Sequence, residues 1–295
     1  MDRRLLIVDG HAFAYRAFYA IRQLSSPTGD PTNAIYGFIR MLAKMRAQVE
    51  PTHWVVVWDG GLAAERMTLK QEYKIQRPLM PTAMKWQVDE IVEFLRASNI
   101  ASFMREGVEA DDWIATVSRL AVEQGIAVVI ASSDKDFMQL VSASVGLLNP
   151  NDKEFKVWKA DDVRAKTGVD PAQIVDWLSL IGDTVDNIPG VPGVGPTTAT
   201  RLLQQFGTVE EIYRRINEVA PERVRSALMA SVETLQRNRR LIQLHDSLPD
   251  AACCEEYLIK SPDVERLKTL FKKWGFKTML AELEKASPTG QRDLL

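Results

Sequence analysis

The stretch Gly107-Val108-Glu109-Ala110-Asp111-Asp112 puts three carboxylates within four residues, where a helical apolar pattern of Trp113, Ile114, Val117, Leu120 and Ala121 begins. A single acid in a first helical turn is an ordinary partner of the helix dipole. Here four further segments end in acids at the edge of an apolar run: Asp9, Asp59, the pair Asp134/Asp136 and the pair Asp183/Asp186. Two unit charges about 4 Å apart repel by roughly 4 kcal/mol at an effective dielectric near 20. Proton sharing relieves one such pair but not so many near neutral pH. Divalent cations relieve them all. No cysteine lies near, and the chain has 3 histidines, so the ligands are oxygens. Mg²⁺ or Mn²⁺ suits that set better than Ca²⁺, since nothing resembles an EF-hand loop. Two such ions roughly 4 Å apart are an arrangement for phosphodiester cleavage, one activating water and the other stabilising the leaving oxygen. Mg²⁺ is accordingly expected to raise the melting temperature.

Gathering these acids requires particular elements. Residues 4–8 read as a short buried strand ending in Asp9-Gly10, and residues 54–58 as a second ending at Asp59. A third strand is expected near 101–104, a fourth over 126–131, and an edge hairpin from 145–148 with 153–157. Helical patterns over 11–22, and from Thr32 or Asn33 onward, separate them. Runs apolar throughout and joined by helices predict an α/β fold with a central, mainly parallel sheet flanked by helices. Ligands of open parallel sheets bind beyond the carboxyl ends of the strands, so one rim collects Asp9, Asp59 and Asp134. Helices starting there would add Glu109, Asp111 and Asp112.

Residues 62–81 are basic (Arg66, Lys70, Lys74, Arg77) and broken by Pro78 and Pro81. They read as a solvated connecting helix or as an arch over the acidic rim. From about Asp161 the pattern is all-helical. An apolar helix over 174–181 is followed by Asn187-Ile188-Pro189-Gly190-Val191-Pro192-Gly193-Val194-Gly195-Pro196 and a helix from about Thr197. Pro196 suits a first helical turn. Gly193 and Gly195 leave backbone N–H groups open to a phosphate, the alternative being a plain helix–helix turn. No strand precedes these glycines and no Gly-Lys-Ser/Thr follows, which excludes dinucleotide and Walker loops. The expected division is an α/β core over 1–160 containing the arch, a helical region over 161–285 carrying a helix–hairpin–helix at 174–206, and a loose tail at 286–295.

Bulk properties are permissive. The 295 residues carry a formal charge of −2, but without the nine acids named above the 37 basic residues face 30 acidic ones. A mildly basic body around an acidic pocket suits a polyanion held through metal ions. No apolar run approaches a membrane span. The only cysteines, Cys253 and Cys254, are adjacent, which points to a reducing, cytoplasmic setting.

The motifs together resemble the 5′ nuclease family, which comprises the 5′→3′ exonuclease module of bacterial DNA polymerase I and the flap endonucleases. They are Ile7-Val8-Asp9-Gly10 with Tyr15-Arg16-Ala17, Val57-Trp58-Asp59, Tyr73-Lys74 with Arg77, residues 107–112, Ser133-Asp134-Lys135-Asp136, Gly182-Asp183 with Asp186-Asn187-Ile188-Pro189-Gly190, and Gly193-Val194-Gly195. The resemblance runs from about Leu5 to about Leu283 and implies a PIN-like sheet with a helical duplex-binding region. It implies that Asp9, Asp59, Glu109, Asp111, Asp112 and Asp134 form or support one metal site, and that Asp134, Asp136, Asp183 and Asp186 form or support a second. It further implies Lys74 and Arg77 at the scissile phosphate, with Asp111 and Asp134 at the reacting centre. DNA contacts are implied for Tyr15, by stacking on a base, and for Arg66, Tyr73, Gly190, Gly193 and Gly195. A K⁺ ion is implied at the hairpin. The implied activity is structure-specific 5′→3′ exonuclease and 5′-flap endonuclease cleavage of DNA, leaving a 5′ phosphate, with a DNA polymerase module as a partner.

Two departures stand out. The family's Glu-Lys-Thr-Ala after the last hairpin glycine is Pro196-Thr197-Thr198-Ala199, which removes a phosphate-facing lysine and should weaken duplex grip. Glu65 replaces the usual phenylalanine before the arch arginine, and Gly60-Gly61 follows Asp59, leaving the local arch path open. Competing readings are a PIN-like ribonuclease, which uses fewer acids and lacks the hairpin, and a non-catalytic DNA-binding module of a replication enzyme. A phosphatase would need Asp-x-Asp where Asp9-Gly10-His11 stands.

Overall fold

Alternation along each strand decides how the protein is layered. In the computed structural model, which describes residues 3–75, 78–152, 154–251 and 254–285, Leu5, Ile7, Val55, Val57, Val128 and Ile130 point to one core. Leu6, Val8, Trp54, Val56, Val129 and Ala131 point to the other. Successive side chains of a strand face opposite ways, so strands buried on both faces are apolar at every position.

The elements follow in the order β1 (Arg4–Asp9), α1 (Gly10–Ala20), α2 (Asn33–Val49), β2 (His53–Val57), α3 (Ala64–Leu69), α4 (Thr82–Ala97), β3 (Ala101–Phe103), α5 (Ala110–Glu123), β4 (Ala127–Ala131), β5 (Val145–Leu148) and β6 (Val157–Trp158). The sheet order is β3-β2-β1-β4-β5-β6. All neighbours are parallel except the β5–β6 hairpin. The helical half comprises α6 (Ala160–Thr167), α7 (Ile174–Ile181), α8 (Pro196–Phe206), α9 (Val209–Arg214), α10 (Glu222–Met229), α11 (Val232–Ile242), α12 (Val264–Trp274) and α13 (Lys277–Lys285). A two-stranded piece, β7 (Gly182–Asp183) with β8 (Ile188–Pro189), lies between α7 and α8 and was not foreseen.

Strands β1 to β5 and the α7–hairpin–α8 unit stand where the sequence placed them, with Pro196 in the first turn of α8, whereas the second strand of the edge hairpin is Val157–Trp158 rather than 153–157. The second half does not stay together as the sequence suggested. Leu178, Leu202 and Leu241 join the core under α5, whereas Leu267, Phe271, Trp274 and Leu283 of α12 and α13 join Phe38 and Phe94 on the opposite face. Glu90 of α4 anchors that return, accepting hydrogen bonds from Trp274 Nε1 and Lys273 Nζ at 2.7 Å each. The expected tail at 286–295 lies outside the described residues, as do Arg77, Lys153 and Cys253. Among the described residues, no helix is long and apolar enough to cross a membrane.

Candidate metal centre and nucleic-acid face

Parallel pairing brings the strand ends to one rim. Asp9 closes β1 and also caps α1, accepting from Ala12 N at 3.1 Å. Asp59 follows β2, and Asp134 follows β4, where it caps a short 3₁₀ turn over Lys135–Leu140. Asp111 sits in the first turn of α5. Asp183 and Asp186 flank the turn between β7 and β8. These six aspartates line one cavity of about 520 Å³, together with His11, Tyr15 and Lys135.

Gly60 explains the path after Asp59. A Cβ there would stand 1.7 Å from Arg105 O, so only glycine lets the 105–108 loop close over it. Gly60 N donates to Val108 O at 3.0 Å, and Gly107 N to Gly60 O at 2.9 Å, which brings the start of α5 beside Asp59.

Glu109 and Asp112 are placed differently from the metal-ligand expectation. Neither lines the cavity, and both are buried against cations. Arg66 grips Asp112 through two hydrogen bonds of 2.6 and 2.8 Å and reaches Glu109 at 3.1 Å. Lys74 Nζ lies 2.5 Å from Glu109 Oε2 and 3.7 Å from Asp111 Oδ2. The arch base is therefore held by an inner layer of ion pairs behind the aspartate ring. Arg66 is 2 % exposed and also donates to Leu241 O and Gln243 O, so it ties α3 to the end of α11 and offers DNA no surface. That corrects its assignment as a DNA contact. Tyr73, 4 % exposed with the Lys74 ammonium 4.9 Å above its ring, is likewise interior.

Lys74 holds a left-handed backbone, φ +56°, which is strained for a residue with a Cβ. Tertiary bonds hold it there: Lys74 N donates to Asp186 O at 3.3 Å, Asn187 Nδ2 to Glu72 O at 2.9 Å, and Lys70 Nζ to Asn187 O. The lysine and the Asp183–Asp186 turn are one mechanical unit. Such strain is retained where the surroundings over-determine it, commonly at working sites.

At the hairpin, a Cβ on Gly193 or Gly195 would meet nothing within 4 Å, so their backbone is open to a phosphate. Gly190 is a correction, because its Cβ would stand 2.3 Å from the Ile181 carbonyl carbon. Its glycine is needed for close packing on α7 rather than for DNA. Lys135 was not singled out from the sequence, although it stood inside the Ser-Asp-Lys-Asp motif. Its ammonium lies 3.1 Å from Asp183 Oδ2 at the cavity.

As the side chains stand, no three His, Cys, Asp or Glu groups among the described residues are drawn close enough to hold a metal ion. Four of the carboxylates turn to a local donor: Asp9 to Ser132 Oγ at 2.8 Å, Asp134 to Asp136 N at 2.9 Å, Asp59 to Gly61 N at 2.8 Å and Asp183 to Val185 N at 2.9 Å. Burial, with neighbouring acids, pushes Asp111, Asp134 and Asp136 above the usual carboxylate range and Asp9 up to about 6. Asp136 Oδ1 is buried with no hydrogen-bond partner among the described residues. Burial opposes ionisation of Glu109 too, but Lys74 and Arg66 outweigh it and lower its pKa.

A folded carboxyl titrating above its unfolded value binds a proton more readily when folded. Its stabilisation is complete below the unfolded pKa and is lost as pH rises through the folded one. For Asp9, moving from 3.8 to about 6, the loss is about 3 kcal/mol. Glu109 acts with the opposite sign, and only below its ordinary 4.5. In EDTA the melting temperature is expected to fall between about pH 4.5 and 6.5, and saturating Mg²⁺ to flatten that slope. A metal-free melting temperature that rises through this window would contradict the assigned desolvation.

Similarity to known proteins agrees with this geometry. Residues 4–168 match the family described as "5'-3' exonuclease, N-terminal resolvase-like domain", and residues 169–265 match "5'-3' exonuclease, C-terminal SAM fold". A 5'-3' exonuclease of Aquifex aeolicus is 39 % identical over 283 residues, covering 96 % of each chain. DNA polymerase I of Bacillus caldotenax is 36 % identical over 296 residues, all of this chain but only 34 % of that protein. The chain thus spans about a third of the length of its polymerase relatives. A bacteriophage T5 5'-exonuclease structure with bound zinc superposes with TM-score 0.69 at 23 % identity, over 92 % of this chain and 99 % of that one. The catalytic core of Rad2 in complex with DNA substrate superposes with TM-score 0.66 at 17 % identity, over 96 % and 92 %. At those identities the two structures speak for the fold. With both family regions matched in order, and a relative of nearly its own length aligned end to end, this chain belongs to the 5′-3′ exonuclease family.

Proposed function

We propose that the chain is a structure-specific 5′ nuclease that cuts DNA at junctions between single strand and duplex, as exonuclease and 5′-flap endonuclease, leaving a 5′ phosphate. The observation that carries this reading is the convergence of six aspartates from five separate segments on one cavity that also exposes Tyr15. The donor set fits hard divalent ions: it is all oxygen, and Asp136 Oδ1 beside it is buried with no hydrogen-bond partner among the described residues. Asp9, Asp59, Asp111 and Asp134 would hold one Mg²⁺, and Asp134, Asp136, Asp183 and Asp186 a second, with Mn²⁺ able to replace either. When bound, the ions supply charge neutralisation and an activated nucleophile for in-line displacement.

The remaining roles belong to the chain itself. Glu109 and Asp112 orient Lys74 and Arg66. The Lys74 ammonium, buried against Glu109 with its side chain 1 % exposed and 3.7 Å from Asp111 Oδ2, would turn from that pair to neutralise charge developing on the scissile phosphate, with Arg77 beside it in sequence. Tyr15 stacks on a base next to the cut, a contact tolerant of sequence. The open backbone of Gly193 and Gly195 at the start of α8 takes a duplex phosphate, with K⁺ as its companion ion. A DNA polymerase module is the proposed partner. Recognition is by backbone and shape rather than base edges.

Presented with a 5′-flap DNA, an RNA strand and a phosphomonoester, each with and without Mg²⁺, the protein is expected to cut the flap only with the metal. An uncut flap beside a hydrolysed monoester would overturn the assignment, and a preference for the RNA would favour a PIN-like ribonuclease. Mg²⁺ is also expected to raise the melting temperature, and Asp111→Asn to raise it in EDTA while shrinking the Mg²⁺ increment. Melting indifferent to Mg²⁺ would count against any metal site.

A further inference from the structure

A second concavity, of about 490 Å³, adjoins the aspartate cavity and shares Ala12, Tyr15 and Ser133 with it. Its outer wall is Tyr19 and Arg16 of α1, and its floor reaches Asn151 on the turn before β6. The volume lies within the roughly 300–1,000 Å³ range of small-ligand clefts. Tyr15 and Tyr19 are four residues apart on one helix face, with ring centroids separated by 6.5 Å and planes within 14° of parallel. Tyr19 is 64 % exposed, its ring braced edge-on by Phe18 with centroids 5.2 Å apart. Arg16 beside it is exposed and donates to Asn151 Oδ1, the one polar contact that positions its guanidinium among the described residues.

A large aromatic ring standing in solvent, parallel to a second ring and flanked by an arginine, matches what a single-stranded base and its phosphate require. Nothing in the metal chemistry uses Tyr19 or Arg16. We propose that this groove is a second nucleobase subsite, which binds an unpaired DNA nucleotide adjacent to the one at Tyr15. Its base stacks on Tyr19 and its phosphate faces Arg16. The subsite rests on the nuclease reading for the choice of DNA as ligand. It adds that the protein recognises at least two unpaired nucleotides at the junction rather than one.

The test uses the full chain and a 5′-flap DNA carrying 2-aminopurine at one position at a time on either side of the junction, in Ca²⁺ so that binding is read without cleavage. Wild type is expected to quench the probe at two neighbouring positions. Tyr19→Ala is expected to lose quenching at one of them, to weaken flap binding on the order of 5- to 30-fold, and to bind a blunt duplex as wild type does. Tyr19→Phe, which keeps the ring, restores both readouts. Because the side chain is exposed, the melting temperature of each variant should match wild type, which separates the effect from misfolding. Unchanged quenching and affinity in Tyr19→Ala, or no flap binding by wild type, would overturn the subsite. Wild type that binds with the expected quenching but leaves the flap uncut in Mg²⁺ keeps the subsite and removes the nuclease assignment.

Discussion

An Asp134→Asn protein is expected to cut 5′-flap DNA at least ~10²–10³-fold more slowly than the parent while melting at a higher temperature in EDTA. Asp134 lies at the electrostatic centre of the ring. Burial raises its pKa first, with Asp186 and Asp183 adding to that, and its charge in turn raises Asp9, Asp111 and Asp136. It is assigned to both proposed metal sites, so neutralising it removes a shared ligand charge at the step where phosphate charge must be offset. Folding requires much less of that charge. Asparagine can still accept the hydrogen bond that Asp136 N gives to Asp134 Oδ1, so the 3₁₀ turn over Lys135–Leu140 keeps its cap. Single-turnover cleavage and thermal melting on the same protein give both readouts. Activity within tenfold of the parent would remove Asp134 from the reacting centre. Loss of activity together with a lower melting temperature would make its role structural.

Arg66→Met should destabilise the protein by about 3–5 kcal/mol, because it breaks a buried ion cluster from one side. The variant leaves Glu109 and Asp112 facing each other, with side chains 1 % and 5 % exposed. It also strips the caps from Leu241 O and Gln243 O that join α3 to α11. Glu109 would keep Lys74 and the backbone N–H of Ala63, 3.1 Å away, and Asp112 would keep the backbone N–H of His245, 2.9 Å away. The melting temperature should fall on the order of 10 °C. Arg66→Lys should recover little, since an ammonium cannot reproduce the two-pronged contact with Asp112. Adding Asp112→Asn to Arg66→Met should recover part of the loss, because the stranded charge goes with it. A shift of less than about 1 kcal/mol, the usual worth of an exposed pair, would show the cluster to be solvated.

The elements and the rim were legible from residue order. Three apolar runs, 4–8, 54–58 and 126–131, could hardly be anything but buried strands, and parallel pairing then forces Asp9, Asp59 and Asp134 to a common edge. Pro196 and the glycines before it marked the start of α8 for local steric reasons, and 174–181 was apolar enough to be one helix. The limits of the sequence lie where a charge had a choice of partners. Glu109 and Asp112 read as members of the acidic ring because their types and spacing are those of ligands. Their cations, Arg66 and Lys74, arrive from an arch 46 and 35 residues away, and nothing in spacing says which way a side chain turns. Tyr19 belongs to none of the sequence motifs, and only the fold shows its ring in solvent parallel to Tyr15. The helices α12 and α13 looked like a continuation of the helical half, yet their apolar faces belong to the far side of the sheet. Periodicity tells a helix which face to bury, and only the assembled chain decides against what. The same holds for charge: composition required that so many acids be compensated, and tertiary packing decided which are met by arginine and lysine and which are left for metal ions.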